Sequence, residues 1–452
     1  MTDRVLGPWP PRRMFMQATC CLLLLAAGAA AELIEQAGPA DWPEFRGPWG
    51  NGHAQPPGST AALGLPLLWS ENQNVTWKTP IPHRGWSSPV VLNGQLWLTT
   101  ATLEGHDLFV LCIDAASGEI VHHERLFHED NPEPLGNSVN GYASPTPVAE
   151  PGRVYVHFGS YGTACLDAAT AKVLWERRDL HCRHYRGPGS SPLLFEDLLV
   201  LTFDGVDVQY VAALDKHTGR TVWRTDRSTA FNDLDENGQP EREGDLRKAF
   251  STPLSISPAA GPQLISLGAK AGFAYHPRTG KEIWKTHHRG HSSSARPVFG
   301  NGLVYITTGH SQTEVWAIRP DGIGDITDTH VVWTWRGRAV PKQPSPVLVG
   351  TLLFLLSNEG AVGCLDALTG AVLWEERIGG NYMASLLYAD GRLYCPSVQG
   401  KTIVLEAGRR FKELAENKLD EGCLASPAVS GSALFLRTKS HLYRIETKKT
   451  GE

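Results

Sequence analysis

Along most of the chain, short apolar runs of four to eight residues alternate with turn residues, and no long segment carries the three-to-four residue spacing of an amphipathic helix. Two signatures recur with these runs. The first is a Ser-Pro-like step followed by apolar residues, at Ser88-Pro89, Ser144-Pro145, Ser191-Pro192, Thr252-Pro253, Arg296-Pro297, Ser345-Pro346 and Ser426-Pro427, with a copy lacking Pro at Ser385-Leu386. The second is an apolar run ending in Asp, then a Thr-Gly turn, then a Trp. Asp167 leads to Trp175, Asp215 to Trp223 and Asp366 to Trp374. His276 replaces the Asp before Trp284, and His122 replaces the Trp after Asp114. The copy begun by Arg319 carries an insertion and ends near Trp333 or Trp335, whereas Glu406 to Leu414 is degraded.

Each unit therefore reads as four strands. Pro is tolerated at the first residue of a strand because that residue need not donate to the ladder. Gly in Asn93-Gly94, Asn301-Gly302 and Asp390-Gly391 supplies the positive φ of a tight hairpin. The Asp of the second signature accepts backbone N–H groups in the turn before the fourth strand. Units start roughly 40 to 60 residues apart, the spacing of propeller blades. The last unit stops after Ile445-Glu446, one strand short, and Val75-Thr76-Trp77-Lys78 precedes the first unit as one strand too many. The expected fold is all-β: an eight-bladed β-propeller of four-stranded blades over residues 71–446, its ring closed by an N-terminal strand near Trp77. Residues 32–70 then form an arm packed on the propeller, and 447–452 a tail.

Composition adds the compartment. Arg4, Arg12 and Arg13 precede an apolar stretch from Cys20 to Ala27, and Ala29 to Ala31 offer a cleavage site, so residues 1–31 read as an export signal. The run is short for a bilayer span. Arg12-Arg13-Met14-Phe15 resembles a twin-arginine core, and Thr19 stands where a lipobox wants a small residue. A net charge of −5 gives no reason to expect nucleic acid. Six of the eight cysteines lie outside the signal, without a CxxC, and read as small buried strand residues.

The Asp-Ala-x-Thr-Gly-x-x-x-Trp element, as in Asp366 to Trp374, resembles the tryptophan-docking repeat of the pyrroloquinoline quinone (PQQ) family. That family includes quinoprotein alcohol dehydrogenases and BamB-like outer-membrane assembly propellers. The resemblance covers about Trp77 to Glu446 and implies eight blades. The dehydrogenases of the family are longer, carry bridged adjacent cysteines near the cofactor and hold calcium with acidic and amide side chains. No adjacent cysteine pair follows the signal here, and no Asp is clearly placed as a catalytic base.

Segments preceding each Ser-Pro-like step should emerge on one face, around the channel. They carry His83, Arg84 and Trp86; Asn140 and Tyr142; His184, Tyr185 and Arg186; Lys248; His288, Arg289 and His291; Gln343; and Asn381 and Tyr382. This predicts a basic, aromatic-rimmed funnel for a small anionic or aromatic ligand or a protein partner, against the plainer reading of solvated loops. Asp233, Asp235 and Asn237 with Gly238 match the start of a calcium loop, with Glu241 at position nine, but Gly244 stands where a bidentate Glu belongs. The plainer reading is an acidic surface loop. The expectation is an exported, monomeric, non-catalytic binding or scaffold propeller of the cell envelope. The alternatives are a PQQ- and calcium-dependent oxidoreductase and a carbohydrate-binding accessory protein.

Overall fold

In the computed structural model, each Pro-led step opens a three-residue inner strand, and three further antiparallel strands follow it outward. Blade one consists of Val90–Leu92, Gln95–Ala101, Asp107–Asp114 and Ile120–His128. The same order repeats in blades two to seven, whose inner strands are Val148–Glu150, Leu193–Phe195, Leu254–Ile256, Val298–Gly300, Val347–Val349 and Leu387–Ala389. Blade four gains a short parallel fifth strand, Gly324–Asp325, along Glu282–His287. Blade eight takes Ala428–Ser430, Ala433–Arg437 and His441–Ile445 from the end of the chain and Val75–Pro80 from the start. Trp77 pairs with Arg444 and Pro80 with His441, so the strand in excess at one end fills the deficit at the other. The fold is an eight-bladed β-propeller. The structure describes residues 1–2, 41–56, 58–59, 61–136 and 139–447. The expected export signal beyond residue 2, the first part of the expected arm and most of the tail lie outside them.

The Asp-x-x-Thr-Gly turns are built as their residues require. Asp215 Oδ1 accepts the Thr218 N–H at 2.8 Å, and Asp366 Oδ1 accepts that of Thr369 at 3.1 Å. The outer-strand Trp of one blade then lies on the turn of the next. Trp175 Nε1 donates to Lys216 O at 2.9 Å, Trp223 to Pro277 O at 2.9 Å, Trp333 to Ala367 O at 3.0 Å and Trp374 to Gly408 O at 3.0 Å. Trp77 does the same to Ala115 O of blade one across the closure, at 3.2 Å. Gly219 has φ +72, and a Cβ there would lie 2.7 Å from the Trp175 ring, so both the turn and the docking call for glycine. The sheets otherwise bury their faces against one another, with apolar residues such as Val110, Leu201, Phe273 and Leu355 fully buried. All six cysteines among the described residues are free and buried.

One expected boundary is corrected. The step that opens blade two is Thr146-Pro147, since the inner strand begins at Val148. Ser144-Pro145 lies two residues earlier, in the approach loop, where Ser144 Oγ contacts Asn140 Oδ1 at 2.5 Å.

The segment from Trp42 to Trp69 lies along the propeller. Trp42 exchanges two backbone hydrogen bonds with Val91, and Pro43 O accepts the Ala149 N–H, which ties it to blades one and two. Farther on, His53 and Ala54 pair beside Tyr388, Asp390 carboxylate oxygens accept the N–H groups of Leu63 to Leu65, and Asn417 Oδ1 accepts that of Trp69. Between these anchors, at Glu44 to Arg46, the segment passes the inner ends of blades five and six. Among the described residues, no helix is long and apolar enough to cross a membrane.

Candidate functional site

The residues that open the inner strands, seven Ser or Thr and Arg296, form a ring about the channel. The backbone N–H of Ser88 donates to Thr146 Oγ1 at 2.9 Å, Thr146 to Ser191 Oγ at 2.9 Å and Ser191 to Thr252 Oγ1 at 3.0 Å. The relay resumes with Arg296 N–H to Ser345 Oγ at 2.9 Å, Ser345 to Ser385 at 3.0 Å, Ser385 to Ser426 at 2.9 Å and Ser426 back to Ser88 at 2.9 Å. Seven of the eight positions carry a hydroxyl, and Arg296 takes the eighth. Each hydroxyl oxygen is thus engaged as an acceptor from the neighbouring blade; the Ser385 O–H donates on to Ser345 Oγ at 3.0 Å, and the remaining hydroxyls keep an O–H that can donate.

Above this ring is a cavity of about 430 Å³. Ser88, Thr146, Ser191, Thr252, Ser385 and Ser426 belong to its lining, and Phe45 of the arm contributes from the other end. Trp86, Phe250, Met383 and Leu424 make apolar wall. Trp86 Nε1 is a buried donor without an acceptor among the described residues.

Charge is concentrated at one wall. Arg186 holds Asp245 through two bonds, Nε to Oδ1 at 3.0 Å and Nη2 to Oδ2 at 3.1 Å, and Lys248, fully buried, contacts the same carboxylate. Burial alone would raise the Asp245 carboxyl, but hydrogen bonds from Arg186 and Lys248 hold it at about 2. The two cations also lie over the Tyr185 ring, at 5.0 Å and 5.2 Å from its centroid. On another wall His291 and His310 exchange backbone hydrogen bonds, and Gln343 Nε2 lies 3.0 Å from His310 Nε2. Burial, and then the neighbouring His310, push His291 down to about 4, so both rings are uncharged at neutral pH. The expected basic funnel is in fact a hydroxyl and apolar cavity with one compensated charge cluster.

Of the residues expected at this face, Trp86, Asn140, Arg186, His291 and Gln343 line the cavity, with Tyr185 and Lys248 packed behind Arg186. The rest serve elsewhere. His83 stacks on Phe109 at 4.2 Å, and Arg84 lies over the Trp86 ring at 5.2 Å. Tyr142 donates its hydroxyl to Glu133 O, and His184 Nε2 accepts the Ser160 N–H. His288 is buried edge-on to Trp316, and both line a separate pocket with Arg289. The Asn381 backbone N–H donates to Gln399 Oε1, and Tyr382 is fully buried in the core. Sequence reasoning missed Asp245, Phe250, His310 and the hydroxyl ring itself, although the ring was written in the repeated Ser/Thr of the step.

The loop at Asp233 does not gather oxygens for a cation. Asp233 turns to Arg247, whose Nη2 lies 2.6 Å from Oδ1. Asp235 Oδ1 caps the N–H groups of Asn237 and Gln239, and Glu241 enters through its backbone N–H to Asp233 O. Among the described residues no cluster of three or more His, Cys, Asp or Glu side chains could hold a metal ion.

The family described as outer membrane protein assembly factor BamB matches residues 207–452, more than half of the chain. The chain belongs to this PQQ-like propeller family. Outer membrane protein assembly factor BamB from Yersinia pestis is 21% identical over 287 residues, which span 52% of this chain and 69% of that protein. Among solved structures, a europium-containing methanol dehydrogenase superposes with a TM-score of 0.66 at 12% identity, covering 91% of this chain and 92% of the other. BamB from Moraxella catarrhalis gives 0.55 at 13% identity, covering 82% and 99%. Quinohemoprotein alcohol dehydrogenase from Comamonas testosteroni gives 0.64 at 13%, covering 94% and 86%. At these identities the structural likenesses speak to the fold alone, which carries both catalytic and assembly functions.

Proposed function

We propose that this chain is an exported, BamB-like binding propeller of the bacterial envelope, which takes a protein segment or small ligand into the mouth of its channel. The observation that carries this reading is the construction of the cavity. It has apolar walls, ring hydroxyls in its lining and the unpaired Trp86 Nε1, features that suit recognition of a chain with both apolar side chains and carbonyl acceptors.

The same lining argues against a redox cofactor. PQQ with a cation calls for uncommitted carboxylate and amide oxygens. The one carboxylate in the described lining, Asp245, is already matched by Arg186 and Lys248. No cysteine belongs to that lining. The test is thermal unfolding of the mature chain with PQQ alone, and with PQQ plus calcium or europium. A ligand of the folded state present at a hundredfold over its Kd adds about 2.7 kcal/mol. The binding reading predicts no such shift and no dye-linked alcohol oxidation. A saturable shift accompanied by turnover would overturn it in favour of a quinoprotein oxidoreductase.

A further inference from the structure

Where the arm meets the ring, two guanidinium groups are buried and one carboxylate, Glu44, pairs with only one of them. Arg296, fully buried, reaches down from the ring position of blade five. Its Nη1 contacts Glu44 Oε1 at 2.9 Å and Phe45 O at 2.5 Å, and its Nε donates to Pro253 O at 3.0 Å. Arg46 enters from the arm and is 1% exposed. Its Nη2 donates to Asn51 O at 2.7 Å and to Pro346 O at 2.6 Å, one residue past the ring hydroxyl of blade six. Its Nε and Nη1 have no acceptor among the described residues, and no carboxylate pairs with it. Consecutive turns in the arm fix this placement: Gly47 N–H donates to Glu44 O, and Gly52 N–H donates to Arg46 O. The packing is close, since a Cβ on Gly52 would lie 2.5 Å from Arg46 Nη2.

The charge is therefore uncompensated. Burial, and then repulsion from Arg296, pull the Arg46 guanidinium down to about 9, still protonated at neutral pH. A buried cation is normally paired, because leaving it alone costs several kcal/mol. Orphaned guanidinium donors are likewise expensive in a dry interior. What the site lacks is one negative charge that accepts hydrogen bonds and is small enough for a packed interior.

We propose that Arg46 binds a small monovalent anion at the channel floor, where the N-terminal arm meets the inner ends of blades five to seven. The anion supplies the counter-charge that the side chains do not, and it locks the arm onto the ring. Neither Arg46 nor Glu44 belongs to the lining of the ligand cavity, and the site does not depend on what that cavity binds.

The test uses the mature chain prepared in methanesulfonate. At constant ionic strength, replacing methanesulfonate by chloride should raise Tm saturably, and Arg46→Met should abolish that dependence. A parallel titration with formate separates a halide from a carboxylate occupant: a saturable, Arg46-dependent rise with either anion supports the site. Crystals of the unaltered chain soaked in bromide give a readout that does not require the variant to fold. An anomalous peak within about 4 Å of the Arg46 guanidinium is expected. The proposal is overturned if well-diffracting soaked crystals lack that peak and formate leaves Tm unchanged. It is equally overturned if neither anion shifts Tm, or if Arg46→Met responds like the unaltered chain.

Discussion

At the scale of residues, polar groups decide how the channel is built. The Ser or Thr of each Pro-led step accepts its neighbour's N–H, so one side chain per blade both satisfies a buried donor and turns a hydroxyl toward the axis. Where the hydroxyl is missing, Arg296 uses the space to meet Glu44 of the arm. Burial raises the Glu44 carboxyl while Arg296 opposes that rise. Glu44→Gln leaves Arg296 unmatched beside Arg46. It should cost about 3–5 kcal/mol in denaturant unfolding, the usual penalty for removing one partner of a buried pair. A loss under 1 kcal/mol would mean that Glu44 does not neutralise Arg296. Residue chemistry was only half legible beforehand. Trp86, Asn140, Arg186, His291 and Gln343 stood next to a recognisable step and were found by position. Phe45 comes from an arm some forty residues before the first step, and Asp245 from the insertion between blades three and four, so no repeat spacing marks them. The spacing of Asp233 to Asp235 and Asn237 fits a cation loop, while its carboxylate pairs with Arg247 fourteen residues on, a contact that no local spacing marks.

At the scale of elements, the repeat was legible because backbone chemistry dictates it. Pro starts strands, Gly turns them, and the docking Trp needs a glycine turn on the next blade. The slip in blade two has a physical cause. Ser144-Pro145 and Thr146-Pro147 differ by two residues, and a two-residue shift keeps each side chain on the same face, so only the strand pairing of Val148 with Tyr155 distinguishes them. The closure strand carries a direct prediction. Without Val75–Pro80, His441–Ile445 becomes an open sheet edge, and Trp77 no longer covers the blade-one turn. A chain starting at residue 81 should oligomerise or unfold at lower temperature, and a peptide spanning residues 71–80 should restore a monomer by sedimentation. Full stability of the truncated monomer would show that the ring does not need this strand.

At the scale of the molecule, a ring of stacked sheets buries many imidazoles. Burial is the leading cause that pushes His53, His184 and His291 to about 4, and His157 and His288 to about 3. In the unfolded chain each titrates near 6.5. As pH falls below about 6.5 the unfolded state takes up protons that the folded state refuses, so folding stability declines, and it goes on declining until the folded pKa values are passed. Asp245 acts later and in the same direction: its depressed carboxyl contributes stability above its unfolded pKa that is lost as pH falls through about 2. Urea midpoints should therefore be level above about pH 7 and drop steadily from pH 6.5 to pH 4. A midpoint that stays level or rises over that interval would contradict the buried, neutral state of these rings.

Under the proposed function, a partner meets this propeller at the mouth of the channel and not at the rim of the ring. In-cell photo-cross-linking tests it most directly, with the reactive residue placed at Met383 or Leu424 in the cavity lining and, for comparison, at the exposed outer-strand positions Val173 and Val222. One discrete adduct is expected from Met383 and Leu424, lost when Trp86 is changed to Ala, and none from the rim. Adducts from Val173 or Val222 alone, with the cavity positions silent, would contradict it.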